Sequence, residues 1–399
     1  MLSAATLASL FHPLTLSSQV FTDLGDVRFN TVGGVVSTAQ GPAVFGNASE
    51  GETNPLLRWT RSTGAVSMDT PPLSPIEFRP EDVSANGSVF AGRGSGSGDN
   101  LFRPSAYRWS LDGDLEEITT NIRDTTFRVR TRISSDGSVV TGFGASAGFR
   151  WSEETGTVEI GARMDDVDVI SADNPLFFAN DLSADGSVIV GMNTLHPLEP
   201  GEASRWTAAN GLEGLGFLFN WGSEQFSVAA GVSADGSVIT GTGFFDPETD
   251  TFSEAFRWTE ETGLVGLGSE LGSLSFATAI SADGSLIVGG LGSIHTTFDS
   301  EPFVWTAASG LQRLVDVLAN EYGIADELVG WDLGRITHLS RDGRYIVGRG
   351  TGPDNQPGDW LVDLGMTPIP EPGTYGAMGA IGLLAIAAWR RRRTTAIAT

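Results

Sequence analysis

An all-β chain of seven four-stranded antiparallel blades, arranged as a closed β-propeller and followed by a C-terminal hydrophobic helix, is the fold that three features of the 399-residue sequence predict. A ten-residue phrase recurs at nearly even spacing. Each copy is followed by the same succession of short strand and turn signals. The last unit lacks a strand, and the N-terminal region supplies one that has no unit in front of it.

The phrase reads "VSANGSVFAG" from Val83, "ISSDGSVVTG" from Ile133, "LSADGSVIVG" from Leu182, "VSADGSVITG" from Val232, "ISADGSLIVG" from Ile280 and "LSRDGRYIVG" from Leu339, with a worn copy, "STAQGPAVFG", from Ser37. The turn glycines Gly41, Gly87, Gly137, Gly186, Gly236, Gly284 and Gly343 are 46, 50, 49, 50, 48 and 59 residues apart, which makes seven units of roughly fifty residues. The pairs Asn86-Gly87, Asp136-Gly137, Asp185-Gly186, Asp235-Gly236, Asp283-Gly284 and Asp342-Gly343 favour tight hairpins, because glycine tolerates positive φ and aspartate bonds its own backbone.

Around residues 229–268 the remaining grammar is clear. In "SVITG", Val238 and Thr240 face one way and Ser237 and Ile239 the other, so neither side is distinctly polar and the strand is expected to be covered on both faces. In "AFRWT", Phe256 and Trp258 share a face; "EETG" then turns into "LVGLG", a fourth strand. Four strands repeated seven times suit a propeller, in which each sheet is buried between its neighbours. Trp59, Trp109, Trp151, Trp206, Trp258 and Trp305, with a weaker copy at Trp360, recur at one place in the unit and are expected to pack. Their neighbours Arg58, Arg108, Arg150, Arg205 and Arg257 could grip an anion, but carbonyls and carboxylates of the next blade are the more natural partners.

Closure follows from the ends. Unit seven runs out after "DWLVDLG" at 359–365, while "VFTDLGDVRF" opens the repeat region. Leu24 precedes Gly41 by 17 residues, as Leu267 precedes Gly284, so residues 19–25 are expected to complete the last blade beside 358–364 and leave no bare edge. An open array of small sheets or a solenoid is the alternative. The units resemble the HAF-type extracellular repeat family, on "AFRWTEETGLVGLG" and "ISADGSLIVGG", over about residues 20–364. That resemblance implies a secreted bacterial β-repeat protein and brings no catalytic residues with it.

Residues 368–393 read "PIPEPGTYGAMGAIGLLAIAAWRRRR". The apolar run Tyr375 to Trp389 makes a helix of roughly 22 Å, against a hydrocarbon core of about 30 Å, and the arginines after it stop transfer. This order closely resembles the PEP-CTERM sorting signal, with Pro370, Glu371 and Pro372 as the tripeptide and Arg390, Arg391, Arg392 and Arg393 as the basic cluster. The resemblance implies recognition by an exosortase-type processing enzyme, cleavage near the tripeptide and delivery of the body to the cell surface or extracellular polymer. An ordinary permanent anchor is the alternative. The expected organisation is a weak or truncated signal segment at 1–18, the propeller at 19–365, a linker at 366–374, the transmembrane sorting helix and arginine cluster at 375–393 and a tail at 394–399.

Composition limits the function. The net charge is −25, every basic residue is arginine, and residues 371–399 carry +3 against −28 for the rest. Such a body repels nucleic acid and anionic headgroups, which leaves membrane contact to the C-terminal helix alone. Without cysteine there is no disulfide, thiolate metal site or thiol nucleophile. His12, His196, His295 and His338 show no metal-binding spacing, and "GASAG" around Ser146 lacks the strand-to-helix context of a nucleophile elbow. No cofactor is implied; calcium could be ligated by Asp165, Asp166 and Asp168 or by Asp246, Glu248 and Asp250, although neither run fits an EF-hand. The short hairpins share one rim and the long loops the other, so convergent polar groups are expected on the long-loop rim or at the channel mouth. The expected role is non-enzymatic binding or structure at the cell surface, with extracellular polysaccharide or envelope components as partners. The competing role is a secreted glycan hydrolase or lyase with paired carboxylates on the long-loop rim.

Overall fold

The computed structural model describes residues 20–365 apart from the connections 26–28, 49–54, 69–75, 97–104, 114, 119–129, 145–146, 163–169, 172–173, 196–200, 219–224, 246–251, 269–273 and 293–299. The described chain forms seven four-stranded antiparallel sheets. Their first strands are Phe29–Thr38, Ile76–Val83, Arg130–Ile133, Leu176–Leu182, Gln225–Val232, Ser275–Ile280 and Asp332–Leu339. Each first strand touches the next, and the seventh touches the first, so the sheets stand as blades around one axis. Blades 1 to 6 are simple meanders. Blade 7 takes three strands from the end of the repeat region and its outer one, Phe21–Asp23, from the start.

That closing strand has the expected register: Phe21 opposes Val362, Thr22 opposes Leu361 and Asp23 opposes Trp360, and the Leu24 N–H donates to the Asp359 carbonyl at 3.0 Å. Phe21 stacks on the fully buried Trp360 ring and meets Trp331 edge-on, with centroids 6.4 Å and 5.3 Å away. Leu24 is buried with Tyr345, Val347 and Leu361 between blades 7 and 1. A charged clamp reinforces the seam. The Asp359 carboxylate accepts Arg349 Nε at 2.7 Å and Nη2 at 3.0 Å, and also the Phe29 N–H at 3.2 Å. Arg349 Nη2 donates in addition to the Phe29 carbonyl. The first residue of blade 1 is thus held by the third strand of blade 7.

Core packing repeats from seam to seam. Trp59, Trp109, Trp151 and Trp258 are buried, and each seam holds its own apolar cluster, as between Phe45, Phe90 and Trp109. The return strand is covered on both faces, since Val238, Ile239 and Thr240 are all buried. The long spacing before Gly343 has a physical cause. The connection from blade 6 to blade 7 contains a helix, α1 (Leu314–Asn320), whose buried Leu314, Val317 and Leu318 pack with Ile324 and Leu328 against Trp360. This helix is a departure from the all-strand expectation.

The Asp-Gly hairpins are present, but with four-residue loops. In blade 5 the Ser233 N–H donates to the Val238 carbonyl at 2.8 Å and the Gly236 N–H to the Ser233 carbonyl at 3.0 Å. Gly236 has φ +75°, whereas Asp235 is not left-handed, so the mirror-image two-residue turn, which needs positive φ twice, does not form. The aspartate acts through its side chain. Asp235 Oδ1 accepts the Ser237 N–H and the hydroxyls of Ser233 and Ser237, while Ser233 Oγ accepts the Val238 N–H. The same net is built on Asn86, Asp136, Asp283 and, with Arg344 replacing one serine, Asp342. A Cβ on Gly236 would lie 2.5 Å from Val188 Cγ2 of blade 4, and one on Gly137 would lie 2.7 Å from Val89 Cβ, so the glycine also admits the neighbouring blade.

The residue after the serine links the blades. The N–H of Ala85 donates to Ser135 O, that of Ser135 to Ala184 O, that of Ala184 to Ala234 O, that of Ala234 to Ala282 O and that of Ala282 to Arg341 O, at 2.6–2.9 Å. This main-chain belt runs around the axis from blade 2 to blade 7. Blade 1, with the worn turn, is joined through the closing strand and the Asp359 clamp instead.

Three outcomes follow. Asp359→Ala leaves Arg349 and the Phe29 amide unpaired at the seam and is expected to cost about 3–5 kcal/mol in denaturant unfolding. Asp235→Ala is expected to cost about 1–2 kcal/mol, whereas Asp235→Asn keeps the turn, as Asn86 does in blade 2. At Asp136, Asp185, Asp235 and Asp283 partial burial pushes the carboxyl up, but the serine hydrogen bonds outweigh it and hold the carboxyl below its ordinary value. These groups therefore stabilise above about pH 4 and lose that contribution as pH falls through their lowered values. A variant with all four changed to Asn is expected to show a flatter acid limb in a plot of melting temperature against pH.

Candidate functional site

The axial channel is where the fold brings charged side chains together. At its short-turn end lies a cavity of about 270 Å³ with residues from all seven blades. Its charged lining comes mainly from one place in the unit, the residues just before the serine of the repeated phrase: Glu81 and Asp82, Arg132, Asp181 and His338, joined by Arg341 and Asp342 from the last turn. A register shift interrupts the first strand at this place between Pro80 and Asp82, Ala179 and Asp181, Ala229 and Gly231, Ala277 and Ala279, and Ile336 and His338. Such bulges re-aim side chains. Here they bring the position before the phrase to the cavity.

Most of these groups hold neighbouring blades. Asp82 Oδ2 accepts the Ile133 N–H at 2.9 Å, and Asp181 Oδ2 accepts the Val232 N–H at 2.9 Å. Glu81 Oε2 accepts the Thr131 N–H at 2.9 Å and its hydroxyl at 3.2 Å, and Glu81 pairs with Arg93 at 3.5 Å. Arg341 reaches from blade 7 across the axis, donating to the Ile133 carbonyl and lying 3.9 Å from Asp82. The cavity is therefore cross-braced.

Enclosure perturbs the titrating groups. Burial pushes the Asp181 carboxyl up, against the opposing pull of Arg341, Arg132 and the Val232 amide, and the Asp82 charge adds to the rise. Burial also raises Glu81, despite Arg93, Arg132 and Thr131. His338 is driven down to about 3, by burial first and then by the positive Arg132. Its Nδ1 has no hydrogen-bond partner. The imidazole is neutral over the whole physiological range.

Among the described residues, polar groups converge inside the channel at its short-turn end, because the axis gathers seven copies of one position; much of the long-loop rim lies outside the described residues. The row of arginines behaves largely as expected. Arg108 Nε donates to Gly137 O at 2.8 Å, Arg150 Nε donates to Gly186 O at 3.1 Å, and Arg205 pairs with Glu213 at 3.2 Å and with Glu260 of the next blade at 2.8 Å. Arg58 and Arg257 have no such partner among the described residues. The long-loop candidates Ser146, Asp165, Asp166, Asp168, Asp246, Glu248 and Asp250 lie outside the described residues, as do His12, His196 and His295. Among the described residues no group of three or more acidic or histidine side chains is placed to hold a metal ion.

The sorting tripeptide at 370–372, the helix at 375–393 and the arginines at 390–393 also lie outside the described residues, and among the described ones no helix is long and apolar enough to cross a membrane. Comparison with known families matches residues 368–393 to the PEP-CTERM protein-sorting motif. That signal implies export to the cell envelope and processing by an exosortase-type enzyme. No curated protein matches the chain. Among solved structures it is similar to the β-propeller domain of the Trilobed protease from Pyrococcus furiosus, at 11% identity over 84% of this chain and 96% of that one, with a TM-score of 0.48. It is similar to puromycin hydrolase at 15% identity over 82% of this chain and 51% of that one (TM-score 0.49). It is also similar to Porphyromonas gingivalis dipeptidyl peptidase 4 at 10% identity over 85% and 53% (TM-score 0.46). The chain thus spans about half the length of the two latter proteins. At these identities and TM-scores the activities in those names stay with those proteins. The seven blades and their closure stand on the strand pairing itself.

The channel groups give the pH dependence of stability two opposing parts. Asp181 and Glu81 keep protons longer folded than unfolded, so their contribution falls as pH rises above about 4. His338 binds its proton less readily folded than unfolded, so its contribution is complete above about pH 6.5 and is lost as pH falls toward about 3. His338→Gln is expected to remove the loss of stability between those two pH values, while Asp181→Asn raises stability at neutral pH. Melting temperatures of both variants across pH 3–8 check these signs.

Proposed function

We propose that this chain is an exported, surface-delivered propeller with a non-enzymatic role in the extracellular matrix, its body serving as a binding or structural module for extracellular polysaccharide or envelope components. The sorting motif at 368–393 carries the reading, because it addresses the body to the outside of the cell. The units are read as HAF-type extracellular repeats, which suits the same destination. The channel supports the non-enzymatic part: Asp82 and Asp181 are engaged with main-chain amides of the next blade, and Arg341 braces the space between.

One observation favours a second reading. Asp181 and Asp82 both line the channel cavity, and Asp181 has its carboxyl raised by burial and by the neighbouring Asp82 charge, a trait of the general acid in glycan hydrolysis. The two readings part in one experiment. The purified full chain is applied to a glycan array with and without calcium, and bound glycans are recovered and sized. Retention of a subset at unchanged length is expected. Shortened products that disappear in Asp181→Asn would establish the hydrolase, and uniform silence would remove the binding role. In cells, deletion of residues 370–372 is expected to hold the protein in the membrane fraction and deplete it from the surface.

A further inference from the structure

The seam between blades 1 and 2 differs from the two that follow it. Across the next two seams the third-strand arginine is engaged with the neighbouring blade: Arg108 bonds Gly137 O with its guanidinium 5.7 Å from the Trp151 ring centre, and Arg150 bonds Gly186 O. At the first seam the equivalent residue is Arg58, facing the turn of Asn86 and Gly87. Arg58 is exposed and has no hydrogen-bond or ion-pair partner among the described residues. Beside the packed cluster of Phe45 and Trp109, the seam carries a cavity of about 610 Å³ that Arg58 lines together with Val66, Met68 and Leu111. Val66 and Leu111 are 50% and 44% exposed, large apolar groups left to solvent.

The electrostatics of this groove run against those of the molecule. The chain carries a net −25, yet Arg58 is the one charged residue among the groove's described lining. Blade 2 has Asn86 where blades 3 to 7 have aspartate, so the turn that would add a negative charge is neutral. Asn86 Oδ1 accepts bonds from Ser84 and Ser88, which leaves its amide donor for another acceptor.

We propose that this groove binds a carboxylate-bearing sugar ring, a hexuronate unit of an extracellular polysaccharide. The planar guanidinium of Arg58 suits a carboxylate in paired hydrogen bonds. The apolar floor and lips suit the C–H face of a pyranose, and the Asn86 amide and Ser88 hydroxyl suit its ring hydroxyls. The volume lies in the range of small-ligand pockets. An acidic peptide would satisfy Arg58 but leave the apolar lining uncovered. Arg257, also without a hydrogen-bond or ion-pair partner among the described residues, is no part of this groove and is a natural control. The proposal rests on the reading of the body as a polysaccharide-binding module.

The test is titration of the full chain with a trimer of galacturonic acid, followed by calorimetry and tryptophan fluorescence, against the neutral galactose trimer and a triglutamate peptide. Binding is expected at least tenfold tighter for the uronate trimer than for either comparator. Arg58→Gln and Leu111→Asp are expected to weaken it at least tenfold. The melting temperature of Arg58→Gln should stay close to that of the parent, because the Arg58 guanidinium has no hydrogen bond or ion pair among the described residues, and Arg257→Gln should bind as the parent does. Undiminished uronate binding by Arg58→Gln overturns the site while leaving a glycan-binding module with its site elsewhere. Equal affinity for triglutamate, or no uronate binding by the parent, overturns the ligand class. Silence toward every glycan on the array removes the module reading together with the site.

Discussion

Each sheet of this protein is apolar on both faces, and only a closed ring buries both faces of every sheet. The residues Val238, Ile239 and Thr240, buried without alternation, have no solvent side to present. A blade left at an open end would expose one such face and an unpaired strand edge. The seam between blades 7 and 1 is therefore the critical place. Two devices meet there: a strand from the start of the chain that completes the last blade, and a buried aspartate that holds Arg349 and the Phe29 amide together.

The interior follows from the same closure. Six of the seven hairpin turns join by main-chain hydrogen bonds into a belt, through Ala85, Ser135, Ala184, Ala234, Ala282 and Arg341. Just beyond the belt, first strands, most of them bulged, gather acidic and basic side chains that are each half-buried. Burial then governs their protonation, raising Asp181 and Glu81 and lowering His338. Carboxylates that bond the next blade's amides and an arginine that crosses the axis turn this charged centre mainly to structural use. In the proposed binding role, recognition falls to a seam where the repeat is broken, at Arg58.

Much of the architecture was legible because the repeat writes it out. Asp235-Gly236 and its equivalents announce hairpins by their own chemistry, and the spacing of Leu24 to Gly41 places the closing strand. The four-residue loop was less visible, because it depends on Ser233 and Ser237 acting together with Asp235. The helix Leu314–Asn320 was missed, although its buried Leu314, Val317 and Leu318 follow helical spacing inside a unit that is too long. The channel cluster was hidden for a different reason. Glu81, Asp82, Arg132, Asp181 and His338 occupy the most variable position beside a regular phrase, and a single unit gives no sign that seven such positions converge. The open groove at Arg58 was equally invisible, since Arg58 looks identical in sequence to arginines that are fully engaged.

Closure by the N-terminal strand is most directly tested by native-state hydrogen exchange of the intact chain, read by mass spectrometry on peptides covering residues 20–25 and 357–364. A ring sealed by this strand predicts that the Leu24 amide, bonded to the Asp359 carbonyl, exchanges as slowly as amides of the blade cores and opens only with global unfolding. Exchange of residues 20–25 at the rate of a free chain, while the rest of blade 7 stays protected, would contradict the account.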